Sequence, residues 1–166
     1  RIVATYNAGS VFRSGNGIKS TFAYETNAGN EVLLFRVNKT ISSSGDIVQS
    51  LSVSNYYNAN RLYKNTMTNE DGANVETFKD FQDRVVLERT FGDTDNNTEH
   101  DTYYVYDDCN NLCYVLPPKL SDAITSGELT DLSDSNTTMK ELAYVYKYDG
   151  RNRCAEKRLP GAEPVY

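Results

Sequence analysis

The chain has no tryptophan, a single histidine and only four prolines among its 166 residues. It has no apolar run of about 18 residues, the length a membrane-spanning helix needs. It has no excess of positive charge either: 17 Lys and Arg stand against 23 Asp and Glu, a net charge of -6. That balance argues against a nucleic-acid partner and against adsorption to an anionic membrane, since both need a basic patch. The cysteines, Cys109, Cys113 and Cys154, are odd in number and make no disulfide framework. A Gly-x-Ser-x-Gly nucleophile elbow is missing too.

Metal and acid–base chemistry are equally thin. Asp93, Asp95, Asn97 and Glu99 alternate like the first ligands of a calcium loop. Thr98 stands where that loop needs glycine, and Tyr104 where it needs a bidentate glutamate. A solvated acidic loop over Gly92 to Asp101 is therefore expected, with His100 inside it. Cys109, Cys113, Cys154 and His100 lack the second close pair of a zinc site. No enzyme activity, cofactor or metal is expected. Cys154 is read as a small buried hydrophobe.

What the chain does have is tyrosine, 13 of them, and short strand-like runs. Leu51 and Val53 alternate with serines, and Val32 to Phe35 is a continuous apolar run after the turn signal Ala28-Gly29-Asn30. Arg61 to Thr68 and Asn74 to Lys79 flank Asn69-Glu70-Asp71-Gly72, which predicts a hairpin. Pro117-Pro118 ends a strand. Beyond it, Leu120 to Ile124 and Thr137 to Tyr144 are expected as short helices, the second capped by Ser135 or Asn136. The fold class expected is mainly β, of antiparallel hairpins, with one or two short helices in an insertion around 119–144. Two segments follow: a β-rich stretch over 1–60, and a repeat-like stretch over 61–166 with its insertion at about 119–140.

Three segments of the second stretch align without gaps. They are Lys79-Asp80-Phe81-Gln82-Asp83-Arg84-Val85, Tyr106-Asp107-Asp108-Cys109-Asn110-Asn111-Leu112 and Tyr148-Asp149-Gly150-Arg151-Asn152-Arg153-Cys154. Each is an Asp, then Asp or Asn three positions on, then a long polar side chain or Asn, then an apolar residue. The spacing suits a hairpin turn. The side chains of Asp80, Asp107 and Asp149 are placed to accept backbone N–H bonds two or three residues on. Asp83, Asn110 and Asn152 are residue types that tolerate the left-handed backbone such a turn requires.

The pattern resembles the YD repeat of the rearrangement-hotspot (RHS) family, whose signature is Tyr-Asp, two variable residues, Gly, then Arg or Asn. Tyr106-Asp107 and Tyr148-Asp149 match its head, and Asn111 and Arg153 its tail. The signature glycine is replaced by Asp83, Asn110 and Asn152, and the spacing is uneven. The resemblance implies a scaffold segment of a large, secreted or cell-surface bacterial protein, just upstream of the RHS-associated core. Its implied partners are other repeats of the same polypeptide, and an enclosed toxin domain or a surface glycan or protein. Val165-Tyr166 looks like the approach to a further Tyr-Asp turn, so the array is expected to be truncated at its C-terminus. The competing reading is a carbohydrate- or protein-binding surface, with Tyr104, Tyr106, Tyr146 and Tyr148 as stacking residues. The alternative for those rings is a ladder of tyrosines packed on one another.

Overall fold

A computed structural model describes residues 1–6, 19–43, 47–92 and 98–166. Asp93, Asp95 and Asn97 of the calcium-like pattern lie outside the described residues. The strands are β1 (Ala4–Tyr6), β2 (Lys19–Thr26), β3 (Leu33–Ile41), β4 (Ile47–Tyr56), β5 (Tyr63–Thr68), β6 (Asn74–Lys79), β7 (Val85–Phe91), β8 (Glu99–Tyr106), β9 (Leu112–Leu116), β10 (Tyr144–Tyr148) and β11 (Cys154–Arg158). Two helices, α1 (Pro118–Thr125) and α2 (Thr137–Leu142), lie between β9 and β10. The chain is mainly β, antiparallel in every pairing described here, with two short helices, as the sequence predicts.

Two compact units form, and neither is continuous in sequence. The first comprises 1–31 and 58–100. Here β1, β2, β5, β6 and β7 pair in that order, and Leu62, Phe78, Val86 and Leu87 are buried. Phe78 lies beneath two cations, with Lys64 Nζ 5.2 Å and the Arg89 guanidinium 5.9 Å from its ring centroid. Lys64 in turn bridges Glu31 at 2.8 Å and Glu76 at 2.9 Å. Burial opposes both its charge and that of Glu31. The bonds more than offset this, raising the lysine pKa and lowering that of Glu31.

The second unit comprises 32–57 and 101–166. Its β8 to β11 pair in sequence order, and the β3–β4 hairpin forms a separate two-stranded sheet. Strand alternation gives that hairpin a buried face of Leu33, Phe35, Gln49 and Leu51 and a polar face of Arg36, Asn38, Ser50 and Ser52. The buried face packs on β8: Phe35 meets Tyr103 edge-on at 5.0 Å, and the Leu33 N–H donates to the Tyr103 hydroxyl at 3.4 Å. Gln49 donates to the carbonyl of Tyr146.

The first helix starts two residues before the expected Leu120: Pro118, expected only to end a strand, sits in the first turn of α1, where its missing N–H costs nothing. Asn136 caps α2 by accepting from the N–H groups of Thr138 and Met139. The expected helix over 137–144 is shorter: Ala143 turns extended and Tyr144 begins β10. The expected loop over 92–101 is also corrected, since Glu99, His100 and Asp101 already belong to β8. Cys154 is not a core residue. It is exposed, while Cys113 is fully buried. The gapless alignment matched Cys154 to Val85 and Leu112, but β11 is a more exposed strand than β7 or β9.

Candidate functional site

The aligned turns share one hydrogen-bond pattern. The Asp80 carboxylate accepts from the N–H of Gln82 at 2.9 Å and of Arg84 at 3.1 Å through one oxygen. Asp107 does the same with Cys109 and Asn111 at 2.9 and 2.8 Å, and Asp149 with Arg151 and Arg153, both at 2.9 Å. The second oxygen binds the side chain four residues on: Arg84 Nε at 2.7 Å, Asn111 Nδ2 at 2.9 Å and Arg153 Nε at 2.8 Å. The residue three positions after each Asp donates its N–H back to that Asp's carbonyl. It holds a positive φ: 62° at Asp83, 66° at Asn110 and 65° at Asn152. The pairing register shifts just before each turn, as expected where a left-handed residue inserts a bulge.

A fourth turn shares these backbone bonds, without the register shift. Asn69 accepts from the N–H of Asp71 at 3.0 Å and of Ala73 at 2.8 Å. Gly72 holds φ 84° in the third position and donates to the Asn69 carbonyl. The sequence marks this turn only as a hairpin, although an Asx residue and a glycine three positions later is the repeat's own spacing.

The turns of the second unit are joined. Asn111 donates from Nδ2 to Asn152 Oδ1, and Lys39 of β3 pairs with the buried Asp107 carboxylate. Burial opposes the Asp107 charge. Bonds from Lys39 and Asn111 outweigh that and hold its pKa below the usual carboxylate range. Both carboxylate oxygens of Asp80, Asp107 and Asp149 are thus engaged within the protein.

A second device joins the two stretches of the first unit. Asn27, 1% exposed, accepts from the N–H groups of Arg61 and Leu62, both at 2.8 Å. Its amide donates to the carbonyls of Ala28 and Asn58 at 2.9 Å. Asn30 and Asn60 take left-handed backbone at φ 60° and 62°. No local pattern marks Asn27, because most of these partners lie more than 30 residues downstream.

The four candidate stacking tyrosines are half-buried and fall on β8 and β10. The register places Tyr104 opposite Val115, and Val115 opposite Tyr144. A valine separates those two rings, so an unbroken tyrosine ladder does not cross this row. Tyr106 lies opposite Leu112, and Tyr146 opposite Lys157, whose Nζ is 5.7 Å from the ring centroid. Tyr148 is engaged: its hydroxyl donates to the Leu112 carbonyl, and Lys39 Nζ lies 5.7 Å over its ring.

Asp134, outside the aligned turns, gathers donors from three strands. Tyr114 donates to it at 3.2 Å, Lys147 lies at 3.3 Å and Arg158 at 3.8 Å. Burial pushes the Tyr114 hydroxyl well above the usual tyrosine range, and the Asp134 charge adds to this. The group ties the segment after α1 to the sheet. Among the described residues, no cluster of three or more His, Cys, Asp or Glu is arranged to hold a metal. No helix among them is long and apolar enough to cross a membrane. No family model matches the chain, and no curated protein or solved structure is found to match it.

Proposed function

We propose that the chain is a structural segment of a YD-repeat, RHS-like body, part of a β-shell or cell-surface frame of a large exported bacterial protein. One observation carries the reading: a single turn design, closed by Asn or Asp at its first position, recurs at residues 69, 80, 107 and 149. Its polar groups are spent on the turn itself and on neighbouring elements, as in a frame whose work is to hold strands in register. The reading gives the segment no catalytic role. Its partners are further strands of the same polypeptide, and a cargo domain or surface ligand beyond them.

The half-buried rings of Tyr104, Tyr106 and Tyr146 favour a second reading, a carbohydrate- or protein-binding face. Calorimetric titration of the isolated chain against a panel of soluble oligosaccharides separates the two. The scaffold reading expects no saturable heat. Saturable binding that Tyr104→Ala and Tyr146→Ala abolish, with the circular dichroism spectrum unchanged, would replace it with the binding reading.

A further inference from the structure

We draw no further inference here: the strongest candidate, the apolar groove of about 460 Å³ that Leu33, Leu51 and Val53 of the β3–β4 hairpin form with Ile124, Leu129 and Leu132, is an unpartnered apolar surface, and nothing in the structure shows what covers it.

Discussion

At the scale of single residues, Asp107 is a turn carboxylate that also reaches beyond its own turn. It closes its own turn and receives Lys39 from β3. Asp107→Asn keeps an oxygen for the two backbone donors and loses the charge pairing, which should cost about 1 kcal/mol. Asp107→Ala also strands the N–H groups of Cys109 and Asn111 and should cost about 2 kcal/mol or more. The pH dependence separates the terms. A carboxyl whose pKa is depressed in the folded state contributes stability above its unfolded pKa of about 4 and loses it as pH falls through the folded value. The gap between wild type and Asp107→Asn in urea unfolding should therefore narrow steadily below about pH 4. A gap independent of pH would show that the charge of the Asp107 carboxylate, held by Lys39 and Asn111, contributes nothing.

The cysteines give a second test at this scale. Burial, reinforced by the charge of nearby Asp107, pushes the Cys113 thiol up to about 12. With Cys109 and Cys154 exposed, iodoacetamide at neutral pH should label those two in the folded protein and spare Cys113. Peptide mass spectrometry reads the order. Early labelling of Cys113 would contradict its burial.

At the scale of elements, what could be read from the sequence was what is local. Asp followed three positions later by Asp or Asn is a short-range pattern, and turn geometry depends on just such neighbours. Asn136 before a helical run is of the same kind. Cys154 was misread because an alignment of turns carries no information on how well the following strand is covered. No local pattern marks Asn27, because its bonds are set by tertiary approach: the two stretches of the first unit come together, and a single amide joins them. Asn27→Ala would leave the buried N–H of Leu62, the part-buried N–H of Arg61 and two carbonyls without this partner, at a cost of about 2 kcal/mol. Amide hydrogen exchange offers a local reading. The N–H groups of Arg61 and Leu62 should lose protection in that variant, and retained protection would mean that they find other acceptors.

At the scale of the whole molecule, the sequence holds the strand content but not the division into units. Each unit takes residues from two stretches of chain, because the β3–β4 hairpin packs on β8 and reaches β10. Linear reading assigns such a hairpin to the segment it interrupts. The uneven spacing of the aligned turns has a visible origin here, since α1 and α2 separate β9 from β10.

If the recurring Asx-closed turn maintains the fold of each unit, its first residue is needed at every occurrence. Urea unfolding, followed by circular dichroism, of Asn69→Ala, Asp80→Ala, Asp107→Ala and Asp149→Ala checks this. Gln82→Ala serves as control, because its side chain is exposed within a turn and only its backbone N–H is used. Each of the four substitutions removes the acceptor of two backbone N–H groups. A lower unfolding midpoint is expected in all four, with the largest drop for Asp107→Ala, and no change in the control. Four midpoints indistinguishable from wild type and from Gln82→Ala would contradict it.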